Sequence, residues 1–340
     1  MTIPYRHITP FLESDDAQNM LSIAENFGSF GTYADEASSD SLGEDLPQRF
    51  DVGINYFERG LDGSGNTDSA EIAASRSNYF RETYAYGTDL RASGIEPFMA
   101  HHALSDTARE LSRCANIVPA IVYANLLVPG QELAIHTDVP EFRGANRKLV
   151  PQWLLVVMLH CGLFERWRIP ILTCVSWFGG ASGGAFTFYP DGPEGTRAAI
   201  PAAHNSAILI DTDKAFHGVE RVAAGLPDLP VIGQHTRLHY CGNQQWQLRE
   251  AEDVLADFCW SELRYSISWK AYCFLDDKTE TTWRDGSDNL TLPQILDTLE
   301  AALRDRGQLS GPRPKPTEFA LLLVSTFVKY PPATISQSGF

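Results

Sequence analysis

Between residues 118 and 241 the chain is a succession of short β-rich runs, and that texture limits the available folds more than any other feature. The runs fall at 121–128, 153–159, 171–178, 185–189, 206–210, 218–222 and 236–240. Pro129-Gly130, Gly179-Gly180, Gly183-Gly184 and Asp191-Gly192-Pro193 separate them. Short strands joined by glycine and proline turns fold as sandwiches, jelly rolls or barrels. A doubly wound parallel sheet needs a helical crossover between successive strands, and only 161–168 offers a helical stretch here.

The flanks read differently. Residues 15–27 pattern as a helix with Met20, Leu21, Ile23 and Ala24 on an apolar face. Segments 34–45, rich in Ser and acid, and 60–69, rich in Gly, Asp and Ser, read as surface loops that could act as lids. Beyond 245 the chain turns helical. Residues 250–265 place Val254, Leu255, Phe258, Cys259 and Leu263 at approximate helical spacing. A second helix is marked by a capping box, Thr291 with Gln294, and by Pro293 in the first turn. Ile295, Leu296, Leu299 and Leu303 form its apolar face, Gly307 stops it, and 312–316 is a stiff linker. The expected organisation is a mixed helical and strand segment over 1–115, a β core over 116–245 and a helical region over 246–340.

Charge and cysteine usage narrow the function classes. The 340 residues carry 27 Lys+Arg against 43 Asp+Glu, a formal net charge of −16. A field of that sign repels phosphate backbones, and no Lys/Arg run opposes it, so nucleic acid is excluded as a partner. The six cysteines, at 114, 161, 174, 241, 259 and 273, form no C-x-x-C pair, so they read as buried, reduced thiols rather than a zinc ribbon. The first eleven residues hold one Arg and no apolar stretch, which does not suit a secretion signal. The apolar run 319–328 is about half the length a membrane span needs. The expectation is a soluble cytoplasmic protein with no membrane partner, its oligomeric state left open.

The chemistry is concentrated in Pro129-Gly130 followed by His136-Thr137-Asp138. On an extended chain, residues i and i+2 share a face, so an imidazole and a carboxylate stand side by side, a mixed donor set suited to an octahedral first-row metal. With 9 His and 43 acids, about one such H-x-[DE] arises by chance, so its weight comes from its surroundings. Those are Gly183-Gly184 with Phe186, Phe188, Tyr189 and Pro190; then a buried strand at 207–210; then His217-Gly218-Val219; then Thr236-Arg237 before an aromatic strand.

This order of motifs, over about a third of the chain, resembles the Fe(II)/2-oxoglutarate-dependent oxygenases of the prolyl-hydroxylase-like branch. The resemblance implies a mainly β fold with flanking helices around a double-stranded β-helix (jelly-roll) core. It implies that His136, Asp138 and His217 hold Fe(II) as a 2-His-1-carboxylate triad. Three further positions are then left for 2-oxoglutarate and O2. Arg237 matches the position that pairs with the far carboxylate of 2-oxoglutarate, with Thr236 as an added hydroxyl donor. The interval from His217 to Arg237 is twenty residues, longer than is usual in that branch, and 223–232 reads as an inserted loop. Arg221 is the competing cation and His204 the competing histidine. The loop from Glu141 to Lys148, with Arg143 and Arg147, follows the ligand pair and could meet an anionic or polar substrate.

The implied reaction is oxidation, chiefly hydroxylation, of a C–H bond in a small molecule such as an amino acid or biosynthetic intermediate, with release of succinate and CO2. Asp138 argues against halogenation, which needs a small residue in its place. A peptidyl or protein (prolyl-type) hydroxylase is the alternative within the family. Outside it stand a cupin-type enzyme, disfavoured by the single His near Asp138, and a jelly-roll metal-binding scaffold.

Overall fold

The computed structural model describes residues 2–33, 46–60, 68–223 and 229–332. The loop expected at 34–45, most of that at 60–69 and half of 223–232 lie outside the described residues. The N-terminal part forms β1 (Tyr5–Ile8), α1 (Ser14–Phe27), β2 (Ser29–Thr32), α2 (Phe50–Arg59), α3 (Ala70–Ser77), β3 (Phe80–Tyr86), β4 (Asp89–Leu90), α4 (Glu96–Met99) and α5 (His102–Ser112). The middle forms β5 (Asn116–Leu127), β6 (Leu133–His136), β7 (Glu141–Phe142), α6 (Gln152–Cys161), β8 (Arg168–Ile169), β9 (Ile171–Phe178), β10 (Phe186–Phe188), β11 (Ala198–Ile200), β12 (Ser206–Ile210) and β13 (His217–Val219). The last third forms β14 (Thr236–Gly242), β15 (Gln245–Glu250), β16 (Asp253–Cys259), β17 (Arg264–Phe274), α7 (Asp277–Asp285), α8 (Leu292–Asp305) and α9 (Pro316–Phe327).

The protein is mainly β, with flanking helices and two large antiparallel sheets. The larger runs β1-β12-β9-β17-β5-β3-β2-β14-β15-β16, with β4 on β3, and the smaller runs β11-β10-β13-β6. From β5 onward the chain alternates between them: β5, β9, β12 and β17 enter the larger sheet, and β6, β10, β11 and β13 the smaller. Trp177, Ile208 and Ile210 of the larger sheet pack with Phe186, Phe188 and Ile200 of the smaller, so the two apolar faces close on each other. Helices α1, α4 and α5 cover the outer face of the larger sheet. A separate helical core joins α6, α8 and α9. Helices α2 and α3 lie against β6.

Strand β17 is buried along its whole length. Tyr265, Ile267, Trp269, Ala271 and Cys273 face the helical layer. Arg264, Ser266, Ser268 and Lys270 alternate with them and line the space between the sheets. A polar row on the inner face of a central strand is costly unless it meets a polar partner.

Several local expectations hold. Helix α1 buries Met20, Ile23 and Ala24 and ends at Gly28 in the left-handed region. Helix α8 starts on the Thr291–Gln294 capping box and buries Ile295, Leu296, Leu299 and Leu303. Two do not. Residues 153–159 belong to helix α6, whose residues Trp153 to Met158 are all buried. A helix buried on every side has no polar stripe, so its sequence reads like an interior strand. The helix expected over 250–265 is replaced by β16 and the start of β17. Val254 and Leu255 are exposed on the edge strand β16, and their spacing reflects no buried helical face.

All six cysteines are free, with Cys114, Cys174 and Cys273 buried and Cys241 exposed. Among the described residues no helix is long and apolar enough to cross a membrane.

Candidate metal centre

The pairing of β6 with β13 puts His136 directly opposite His217. Asp138 lies two residues beyond the end of β6, and its backbone N–H donates to Thr212 O at 2.9 Å, fixing the turn. The three side chains meet: Asp138 Oδ1 lies 3.6 Å from His136 Nε2 and 3.8 Å from His217 Nε2. Among the described residues this is the one group of three or more His, Cys, Asp or Glu gathered closely enough to hold a metal ion. Neighbouring ligands on an ion with bonds of about 2.1 Å stand roughly 3 Å apart, so a slight contraction closes the group on a first-row metal.

Each ligand is held by a second contact. His136 Nδ1 donates to Ala134 O at 2.7 Å, and His217 Nδ1 to Ala215 O at 2.9 Å. A carbonyl only accepts, so both rings carry a proton on Nδ1 and turn Nε2 toward Asp138. The His217 ring also stacks on Phe186. Asp138 Oδ2 accepts from Lys270 Nζ at 2.7 Å and Thr212 Oγ1 at 2.6 Å, leaving Oδ1 toward the imidazoles. Burial alone would raise the Asp138 carboxyl, but Lys270 and the two histidines hold it well below the usual carboxylate range. Burial, then the neighbouring His136, push His217 down to about 3. At neutral pH the centre is therefore a carboxylate and a neutral His217, with no proton to expel from His217 when a cation enters.

Behind the three ligands lies an inner cavity of about 60 Å³, walled by both sheets and including Tyr123, Thr173, Arg264, Ser266 and Ser268. It has space on the order of four or five water molecules. Arg264 is 3 % exposed. Its Nε donates to Gly184 O at 2.6 Å and its Nη1 weakly to Ser266 Oγ at 3.4 Å. Its Nη2 is buried without a partner, as is Asn125 Oδ1 in the same wall. Burial pushes the guanidinium down to about 9, with no carboxylate opposing the shift. Gly184, at φ +64°, makes room for this side chain, since a Cβ there would sit 2.5 Å from Arg264 Cδ.

An outer cavity of about 540 Å³ opens on His136 and Asp138 from the side of α2 and α3. Tyr79, Arg81, Tyr123 and Leu133 line both spaces.

Of the residues singled out in the sequence, His136, Asp138 and His217 are brought together, and Arg237 and Thr236 are not. Arg237 lies on β14, three strands beyond β5, with its side chain 45 % exposed and paired to Glu82 at 3.2 Å. Thr236 Oγ1 donates to Glu250. Neither lines either cavity. Arg221 pairs with Glu132 at 2.9 Å, and His204 Nδ1 accepts from the Gly179 N–H. In the 141–148 loop, Arg143 is committed to Asp288, while Arg147 lines the outer cavity. Arg264, Ser266, Ser268 and Lys270 were missed. Their signal was the strict alternation of Arg, Ser, Ser and Lys with Tyr, Ile, Trp and Ala over 264–271, the mark of a strand with two different faces.

No protein-family model and no curated protein matches the sequence. Similar solved structures include an oxidoreductase of the 2OG-Fe(II) oxygenase family from Burkholderia pseudomallei, at 8% identity over 79% of this chain and 84% of that one, TM-score 0.41. They also include a prolyl-4-hydroxylase from Pseudomonas putida, at 10% identity over 80% and 94%, TM-score 0.38. A third is HygX from Streptomyces hygroscopicus, solved with nickel, 2-oxoglutarate and hygromycin B, at 10% identity over 80% and 84%, TM-score 0.39.

Proposed function

We propose that the chain is an Fe(II)/2-oxoglutarate-dependent oxygenase that oxidises a C–H bond of a small molecule. One observation carries this reading: the cavity behind the His-Asp-His group holds a buried guanidinium that no carboxylate among the described residues meets. Two imidazoles and a carboxylate suit Fe(II). A buried, unpaired Arg264 flanked by the Ser266 hydroxyl suits the far carboxylate of a short diacid, because a guanidinium fork matches a carboxylate. A cavity with room for a few waters suits a five-carbon diacid. In this assignment Arg264 and Ser266 take the cosubstrate role that the motif order had given to Arg237 and Thr236.

The strand order supports a double-stranded β-helix, with β5-β17-β9-β12 facing β6-β13-β10-β11. The catalytic unit then runs from 116 to 274 rather than to 245, since β17 pairs with both β5 and β9. Strands β14 to β16 form an excursion between β13 and β17.

Fe(II) and 2-oxoglutarate, when bound with O2, supply the oxidation, releasing succinate and CO2. The chain's own residues do the positioning. His136 and His217 hold Nε2 toward the ion through their Nδ1–H bonds, and Lys270 with Thr212 orients Asp138. Arg264 and Ser266 would hold the far carboxylate of the diacid. Helices α2 and α3 roof the outer cavity, which favours a small substrate over a peptide laid in an open groove.

The test is anaerobic addition of Fe(II) and 2-oxoglutarate to metal-free protein. A weak visible charge-transfer band in wild type, lost in His136→Ala, supports the reading. A folded, iron-loaded protein that binds 2-oxoglutarate without a band, or not at all, refutes it and leaves a metal-binding scaffold.

A further inference from the structure

The outer cavity is a cationic hole in an acidic protein. Among the described residues Arg49, Arg81, Arg147 and Lys270 line it against one carboxylate, Asp138, in a chain of formal charge −16. Two of these cations are occupied, Arg49 by Asp51 at 3.0 Å and Lys270 by Asp138. The other two meet no carboxylate among the described residues. Arg81 holds its guanidinium carbon 3.6 Å from the Tyr123 ring centroid and 4.8 Å from that of Tyr33. Tyr79 stacks on Tyr33 at 5.4 Å. Among the described residues no carboxylate forms an ion pair with Arg81, and Asp138 is felt only as a more distant charge. Arg147 keeps its Nε buried without a partner.

A guanidinium whose faces lie on aromatic rings, and which meets the Tyr79 hydroxyl along one edge, keeps its further N–H groups for a ligand. Those groups fit a carboxylate in the plane of the fork. The rest of the wall is largely apolar, with Phe50, Val52, Phe57, Ile121 and Val139. An anionic end and an apolar body are therefore the two features a ligand needs here. The anion is not the distal carboxylate of 2-oxoglutarate, since assigning it to Arg81 would leave Arg264 buried and unpaired. Resting on the oxygenase reading of the inner site, we propose that the outer cavity takes a carboxylic acid with an apolar body as the molecule to be oxidised. Its carboxylate is read by Arg81, with Arg147 as the second cation.

The probe is a graded series of phenylalkanoic acids, phenylacetate to 5-phenylpentanoate, each paired with its primary amide. Binding is read by calorimetry on Mn(II)-loaded protein saturated with 2-oxoglutarate. At least one acid should bind about ten-fold or more tighter than its amide. Arg81→Gln should erase that preference without weakening 2-oxoglutarate, and Arg147→Gln should reduce it. Should Arg81→Gln not fold, Arg81→Lys, which keeps the charge but not the fork, should still lower the preference several-fold. The proposal is overturned if no acid binds, if acids and amides bind alike, or if the Arg81 variants keep the full preference. It also falls if Arg81→Gln weakens 2-oxoglutarate instead, which would make this residue part of the cosubstrate site. Arg264→Met separates the two readings: it should lose 2-oxoglutarate while keeping the acid preference of the outer cavity in Mn(II)-loaded protein. Loss of both in Arg264→Met would overturn the separate outer site. An acid preference in a wild type that never binds 2-oxoglutarate would sink the oxygenase and leave the acid site standing.

Discussion

Replacing Arg264 by Met should make the metal-free protein more stable and its grip on 2-oxoglutarate far weaker. Burial moves this guanidinium down from the ordinary arginine range to about 9, with no opposing anion among its causes. At about 1.4 kcal/mol per pKa unit, keeping the charge there costs on the order of 5 kcal/mol. Met retains the packing of the aliphatic stem and removes the charge. Against this gain, the Gly184 carbonyl loses its 2.6 Å donor, and an orphaned buried acceptor costs about 1–3 kcal/mol. The balance is a stabilisation of roughly 2–4 kcal/mol, a rise of several degrees in the Tm of the metal-free protein. Binding moves the other way. Two charge-assisted hydrogen bonds to a carboxylate, at about 1.5–3 kcal/mol each, amount to a hundred-fold or more in affinity. Thermal unfolding of the metal-free protein reads the first quantity, and anaerobic titration of the Fe(II) form with 2-oxoglutarate reads the second. Wild-type affinity in the variant would refute the assignment of Arg264. A lowered Tm would show that the guanidinium already has a partner in the free protein, and the burial argument would fail even if binding weakened.

Gly184→Ala should act through Arg264, because its Cβ would stand 2.5 Å from Arg264 Cδ: the KM for 2-oxoglutarate rises at least several-fold while metal affinity holds, and equal losses in both would mark a merely structural glycine. Lys270→Met should destabilise the metal-free protein by about 3–5 kcal/mol, the usual cost of leaving a buried charge unpaired, and Mn(II) should restore most of it by giving Asp138 a new cation. Urea unfolding with and without the ion checks this, and a variant equally unstable in both would contradict it. Burial pushes His160 down to about 4. Because its folded pKa lies below the unfolded 6.5, its contribution is present above pH 6.5 and lost as pH falls toward 4. The unfolding free energy of wild type should therefore fall between pH 7 and 4.5 more than that of His160→Gln, by about 2 kcal/mol after allowing for partial exposure, and parallel profiles would show that the ring titrates normally.

The three candidate ligands were legible because their constraint is local. His136 and Asp138 stand at i and i+2 at a strand end, and His217 opens a short strand that must lie beside it, so chain order alone narrows the choice. Strands at 171–178 and 206–210 were readable for the same reason, each a short β-rich run between turns. What escaped was set by distance along the chain. Arg264 lies on β17, a central strand of the larger sheet, and β14, β15 and β16 intervene along the chain between it and β13. A search that stops at the first Arg after His217 and 223–232 therefore ends on Arg237, an outer-wing residue with a carboxylate of its own. Helix α6 was unreadable for a different reason, since a segment buried on every side carries no periodicity.

Net charge was informative about the outside of the molecule and silent about its interior. A formal −16 argues against phosphate backbones as partners, yet the cations of the outer cavity come from four separate places: the turn before α2, strand β3, the 141–148 loop and strand β17. No two lie close in sequence, so no basic run announces them, and each would pass for an ordinary surface charge. Only the fold decides that Arg49 and Lys270 are neutralised while Arg81 and Arg147 are not. The acidic exterior then gives this hole a physical consequence. An anion must cross a repulsive field to reach it, so association of an acid substrate should quicken as salt screens that field, whereas the contacts inside, sheltered from solvent, should weaken much less. A rise in the association rate with ionic strength alongside a nearly constant dissociation rate is the kinetic signature expected of a cationic pocket set inside an acidic shell.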